Sequence, residues 1–114
     1  MNAVLDRWDN GDPMGFIDVS AEDVTYFGPE KPRRIDGRER FRQLLAPIVG
    51  HIHNPPRRMV EPMVRIRGDI ALVTFVAVYD QLSSGGKWNV TEVYRHEGAD
   101  WKLIHSHWAE AKGQ

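Results

Sequence analysis

Three sets of side chains in this chain have the types and spacing that chemistry needs. In "DWKLIHSHWAEA" (100–111), His105 and His107 stand two positions apart. Side chains at i and i+2 of a strand point the same way, so the imidazoles share a face. In "KWNVTEVYRH" (87–96), Glu92 shares a strand face with Val90 and Tyr94. In "DVTYF" (23–27), Tyr26 offers a hydroxyl that either donates to a substrate oxygen or points at solvent. A zinc site needs three or four converging ligands, and His-x-His supplies two with no acidic residue at a matching position of that face. The histidines therefore read as packed or interfacial residues whose charge changes near neutrality. No metal and no cofactor is expected. His51 and His53, in "HIHNPPRR", read as exposed loop histidines.

Glu92 is the sharper signal. If that face is the buried one, a carboxylate on it is costly unless it is paired or protonated. If the 96–100 turn pairs Arg95 with Trp101, Glu92 lies opposite Ile104, with Lys102 and Ser106 as diagonal neighbours. Two readings stay open. One is a structural ion pair or hydrogen bond with Lys102 or Ser106. The other is a desolvated carboxylate with a raised pKa, suited to proton transfer. The same register brings Trp88 near Trp108, either as core or as a stacking platform for a flat ligand.

The elements that must position these groups fit one domain, 1–114, with enough chain for a core. With 114 residues and no cysteine, disulfides, thiolate metal sites and cysteine nucleophiles are excluded. Lys+Arg 15 against Asp+Glu 16 gives a net charge of −1, which offers no general attraction for nucleic acid or an anionic membrane. The clusters "KPRR" and "PPRRM" read as solvated loops. No apolar run reaches membrane-spanning length and the first residues lack a signal-peptide pattern, so the expected compartment is the cytoplasm.

The first half reads helical. Val4, Leu5 and Trp8 form a short apolar stripe, and a second short helix starts at Pro13 with Met14, Phe16 and Ile17. "DVTYF" reads as a strand. Asp36 and Glu39 have capping-box spacing before "GRERFRQLLAPIVG", whose Phe41, Leu44, Leu45 and Ile48 share a face until Pro47 disturbs the last turn. The second half reads as an antiparallel meander of "EPMVRIRG", "IALVTFVAVYDQ", "KWNVTEVYRH" and "DWKLIHSHWAEA", separated by hairpin signals. In 71–79 both faces are apolar: Leu72, Thr74, Val76 and Val78 on one, Ala71, Val73, Phe75, Ala77 and Tyr79 on the other. Helices can cover only one, so the other is expected to meet a second copy in a homodimer. In 102–108 simple alternation groups Lys102, Ile104, Ser106 and Trp108 against Leu103, His105 and His107.

"DVTYFGPE", "IDGRERFRQLLAPI", "RIRGDIALVTFVAVYDQ" and "TEVYRHEGADWKLIHSHW", in that order, resemble the nuclear transport factor two-like superfamily. The likeness is nearest to its SnoaL-like members and to the association domain of calcium/calmodulin-dependent protein kinase, and the closing W-x-x-x-H-x-H is its most specific part. The resemblance implies an α+β cone, a strongly bent antiparallel sheet wrapped around N-terminal helices with a pocket between them. It also implies which face is the pocket. Pocket arginines of the kinase association domain match Val78, Glu92 and Trp108, which puts the Thr74/Glu92/Trp108 face inside. Other pocket positions fall near Phe41 and Val49. The cationic pocket of that relative becomes mostly apolar here, with one carboxylate, so anion binding is not implied.

The reading is a domain that binds an apolar or aromatic small molecule. Its pocket takes Trp8, Phe41, Thr74 and Val78, together with Trp88, Tyr94, Ser106 and Trp108. Any catalysis is cofactor-free isomerisation, cyclisation or dehydration through Glu92 and Tyr26. The alternative is a non-catalytic assembly or ligand-sensing module. The expected homodimer face includes Phe75, Tyr79, Val93, His105 and His107.

Overall fold

Two tight turns organise the second half of the chain. Gly68 and Gly98 take positive φ of 61° and 63°, a region that suits glycine, and each opens a two-residue loop between strands paired at Arg67↔Ile70 and Glu97↔Asp100. The strands so joined are β3 (Arg58–Arg67), β4 (Ile70–Val78), β5 (Lys87–Glu97) and β6 (Asp100–Glu110). Before them come α1 (Met14–Asp18), β1 (Ser20–Phe27), β2 (Ile35–Asp36), α2 (Arg38–Leu45) and a 3-10 turn (Ala46–Ile48). The computed structural model describes residues 10–28, 33–48, 50, 58–79 and 86–111. The stripe of Val4, Leu5 and Trp8 lies outside them, as do Val49, His51 and His53.

The fold is α+β, with one curled, unclosed sheet of six strands in the order β2-β1-β6-β5-β4-β3. All neighbours are antiparallel except β1 and β6, which run parallel. The helices lie against one face. Phe16 and Ile17 of α1 and Phe41 and Leu45 of α2 pack with Val24, Phe75, Ala77, Tyr79, Val90 and Leu103 into the core. No described helix is long and apolar enough to cross a membrane.

Three sequence expectations change on the structure. The capping box does not form. Asp36 is held in β2 opposite Thr25, Gly37 takes the N-cap position, and the carboxylates of Asp36 and Glu39 accept from Arg34 and Arg42. Thr74 and Val78 do not share the face of Glu92. The β4–β5 register sets Val73 opposite Glu92, Phe75 opposite Val90 and Thr74 opposite Thr91, and directly opposed residues share a face. Phe75 and Tyr79 therefore belong to the core rather than to an outer dimer face, whereas Thr74 and Val78 lie on the outer side. The third change is a β-bulge in β6.

That bulge reverses the alternation of β6. Tyr94 pairs with Leu103 but Val93 pairs with His105, leaving Ile104 as the extra residue. Leu103, with none of its surface exposed, thus joins Ser106 and Trp108 on the core face, while Lys102, His105 and His107 fall outside. Its N–H also donates to the Val19 carbonyl at 2.7 Å, tying β6 to the chain after α1. Leu103→Ala should cost about 2–5 kcal/mol by the cavity it leaves. Ile104→Ala, on the bulge, should cost no more than about 1 kcal/mol. Urea unfolding of the two variants checks the parity; equal losses would contradict it.

Candidate functional site

Glu92 lies midway along β5, where its neighbours on the same face are Val90 and Tyr94. The chain buries it completely. Strand pairing builds a row across the sheet on this face: Ile35, Tyr26, Ser106, Glu92 and Val73, each opposite the next. Ser106 is therefore directly opposite Glu92 rather than diagonal: the turn pairs Arg95 with Lys102 instead of Trp101, and the bulge adds one residue more. Its hydroxyl donates to Glu92 Oε2 at 3.3 Å, and the Tyr94 hydroxyl donates to Oε1 at 3.1 Å. Lys102 stands opposite Arg95 on the outer face and is not a partner. Among the described residues no cation bonds the carboxylate, and no buried side-chain polar atom there lacks a hydrogen bond.

Burial dominates the electrostatics. Removal from water pushes the Glu92 carboxyl up from 4.5 to about 7, with the Tyr94 and Ser106 hydrogen bonds holding it back only in part. The same burial, together with the charge of Glu92, raises Tyr94. Tyr26 stacks on Phe41 with ring centroids 4.9 Å apart, and burial pushes its hydroxyl up to about 12. Gly28 makes room for that ring, since a Cβ there would meet the Tyr26 ring and hydroxyl at 3.0 Å. Tyr26 and Glu92 lie two strands apart in one row, about 10 Å between backbones. A small molecule over Ser106 would have a carboxyl group on one side and a phenol on the other.

The indoles pack. Trp108 meets Phe16 and Phe75 edge-on, with centroids 6.5 and 6.3 Å away, and Trp88 meets Tyr79 edge-on at 5.6 Å. They are diagonal neighbours on the core face, since Trp88 opposes Glu110 and Trp108 opposes Val90. The structure brings together Tyr26, Phe41, Trp88, Glu92, Tyr94, Ser106 and Trp108 on one side of the sheet, and separates Thr74 and Val78 from them. Trp8 lies outside the described residues. Sequence reasoning treated Tyr94 as a liner and missed it as a hydrogen-bond donor; its i+2 spacing from Glu92 was the available signal.

The histidines occupy the other side. His105 Nδ1 is 2.6 Å from the Thr25 hydroxyl, and its ring stands edge-on to Phe27 at 5.9 Å. Burial, then the neighbouring His107, hold its pKa below the ordinary histidine value. His107 is exposed beside Phe27. No group of three metal-binding side chains occurs among the described residues. An open groove of about 220 Å³ is lined by Glu61, Thr74, Phe75, Val76, Asn89, Val90 and Thr91.

A buried row of carboxyl and hydroxyl groups beneath helices, on a curled sheet, is a comparable feature across proteins. Residues 1–109 match the family model of the SnoaL-like domain. The chain belongs to the SnoaL-like family. Its solved structural relatives include a candidate ketosteroid isomerase from Parabacteroides distasonis, 31% identical, with TM-score 0.85 over 97% of this chain and 84% of that one. A candidate dehydratase of the NTF2-like family from Streptomyces avermitilis is 21% identical, with TM-score 0.81 over 98% and 91%. The CaMKII hub of S. rosetta is 23% identical, with TM-score 0.72 over 96% and 90%. The last two establish the fold alone. No curated protein sequence matches the chain significantly.

The raised carboxyl of this SnoaL-like domain has a thermodynamic signature. Between pH 4.5 and about 7 the folded chain keeps a proton on Glu92 that the unfolded chain has lost. Stability must therefore fall as pH rises through that window, by about 3 kcal/mol in all. His105, with its lowered pKa, acts with the opposite slope. Comparison with Glu92→Gln isolates the first effect, because the amide does not titrate. The stability of the variant relative to the native chain should rise by about 3 kcal/mol from pH 4.5 to 8 in urea unfolding. A constant difference would show that Glu92 stays ionised when folded.

Proposed function

We propose that this SnoaL-like domain binds an apolar, cyclic or aromatic small molecule between sheet and helices and performs cofactor-free proton transfer on it. The observation that carries this reading is Glu92, a wholly buried carboxyl bonded by two hydroxyls and no described cation, poised at about 7. A structural carboxylate in an apolar core is normally neutralised by a cation. One that titrates near neutrality is matched to taking and returning a proton. Glu92 has no exposed surface in this conformation, so substrate entry requires the covering side chains to part.

In the reaction class proposed, Glu92 as carboxylate removes a proton from carbon next to a carbonyl. The C–H electron pair moves into the enolate, whose oxygen accepts a hydrogen bond from Tyr26. Protonated Glu92 then returns the proton to another carbon, giving an isomer, or gives it to a β-hydroxyl that the enolate expels as water when the C–O bond breaks, giving a dehydrated product and restoring the carboxylate. Phe41, Trp88 and Trp108 supply the apolar walls. The relatives named for isomerase and dehydratase chemistry support this class.

A panel of β,γ-unsaturated cyclic ketones tests it. Glu92→Gln should lower kcat by about 100-fold or more with the fold retained, and Tyr26→Phe by about 100-fold. Turnover indifferent to both substitutions would refute the reading.

The assembly reading also has an observation behind it, the half-buried outer-face side chains Leu72, Val93 and Ile104. Hub and association domains among the relatives support association of copies. We propose a homodimer through this face, with Val93, His105 and His107 in it. Sedimentation should give twice the monomer mass at micromolar concentration and a smaller dimer fraction as pH falls through the lowered titration range of His105. A monomer throughout would reject it.

A further inference from the structure

Among the described residues the sheet ends at β3, with no strand on its far side. Three large hydrophobic side chains there are at least half exposed: Met63 50%, Val64 60% and Ile66 55%. The backbone edge can be read from the turn. The two-residue loop Gly68–Asp69 makes Arg67 and Ile70 a hydrogen-bonded pair. Alternation then makes Ile66↔Ala71 and Val64↔Val73 non-bonded pairs, so the N–H and C=O of Val64 and Ile66 point away from β4. An independent contact agrees: the Arg67 guanidinium reaches back to the Ile66 carbonyl at 2.9 Å.

The side chains on this edge are sorted. Val64 and Ile66 lie on the Val73 face, Met63, Arg65 and Arg67 on the other. Among the described residues neither Arg65 nor Arg67 has a carboxylate partner, although Glu61 and Asp69 stand at the two ends of the segment. Glu61 has φ 52° at the irregularity between Val60 and Met63, which separates this half of β3 from the first. The result is a short apolar strip with two outward-pointing N–H and C=O pairs on one edge, the Ile66 carbonyl held by Arg67, and two guanidinium groups on one side that lack a carboxylate partner among the described residues.

We propose that this edge docks an extended peptide whose side chains alternate between carboxylate and apolar. Its backbone would bond Val64 and Ile66, displacing Arg67 from the Ile66 carbonyl. Its carboxylates would meet Arg65 and Arg67, and its apolar side chains would cover Val64 and Ile66.

A second copy fits poorly in antiparallel pairing. Pairing Val64 with the other copy's Ile66 sets Arg65 against Arg65, and pairing Ile66 with Ile66 sets Arg65 against Arg67. Centring on Val64 brings Pro62, which has no N–H, opposite Ile66. The site is separate from Glu92 and does not depend on the catalytic reading.

The test uses the full chain and a labelled, end-blocked peptide of four Glu-Val repeats, with a Lys-Val peptide as control. Fluorescence anisotropy should show saturable binding of the acidic peptide alone, weakening as salt rises from about 0.05 to 0.5 M. Arg65→Glu with Arg67→Glu should weaken it at least about tenfold. Bound peptide should slow amide exchange at Val64 and Ile66 and leave the β5 and β6 amides unchanged. Val64→Pro removes an outward N–H without touching the β3–β4 ladder and should abolish binding. Absence of binding, equal binding of the Lys-Val peptide, or unchanged exchange at Val64 and Ile66 would overturn the proposal. So would a dimer of the peptide-free chain that Val64→Pro converts to monomer, because a second copy would then hold the edge.

Discussion

One extra residue in β6 sets the chemistry of the sheet. Without the bulge at Ile104, strict alternation would place Leu103 outside if Ser106 and Trp108 faced the core. With it, Leu103 closes the core beneath Tyr94, and three positions later Ser106 still comes up facing Glu92. A bulge costs a local break in the ladder and increases twist. Here that distortion coincides with two interactions that offset it, the burial of Leu103 and its N–H bond to Val19. The Glu92–Ser106 contact exists because both strands keep that register.

The carboxyl group made possible by this arrangement is uncomfortable in an informative way. Ser106 and Tyr94 satisfy its hydrogen bonds, but a hydroxyl offers a dipole where a cation would offer a charge, so desolvation still dominates. The protonated form is the comfortable one when the site is closed. Admission of a polar group or water would shift the balance back toward the carboxylate, so occupancy and proton affinity are coupled at this residue. A Lys or Arg in place of Ser106 would remove that property.

The two sides of the sheet divide the remaining work. The helix side holds the carboxyl, the phenols and the indoles. The outer side holds Thr25, His105, His107, Thr74, Thr91 and the half-buried aliphatics, an arrangement suited to contact with protein rather than chemistry. At the β3 edge no described helix or strand covers the apolar side chains, and Arg65 and Arg67 stand where charged residues on edge strands oppose self-association.

Much of this was determined by the sequence alone. The α+β class and the four-strand meander follow from β-rich runs punctuated by glycine turns, because strand content and turn chemistry are local properties. The family and the inward facing of Glu92 came from the resemblance of whole stretches of sequence. Alternation also placed Glu92 and Tyr94 on one face of β5, since no irregularity interrupts that strand between them. Only tertiary structure decided which face of β4 met Glu92. Both faces of 71–79 are apolar, so hydrophobic pattern cannot choose, and the β4–β5 register put Val73, not Thr74, in the row. The bulge was likewise invisible, because "KLIHSHW" reads as a plain alternating run. Its extra residue is stabilised by Tyr94, Val19 and the core over Leu103, partners that lie far away in the chain and become neighbours only on folding.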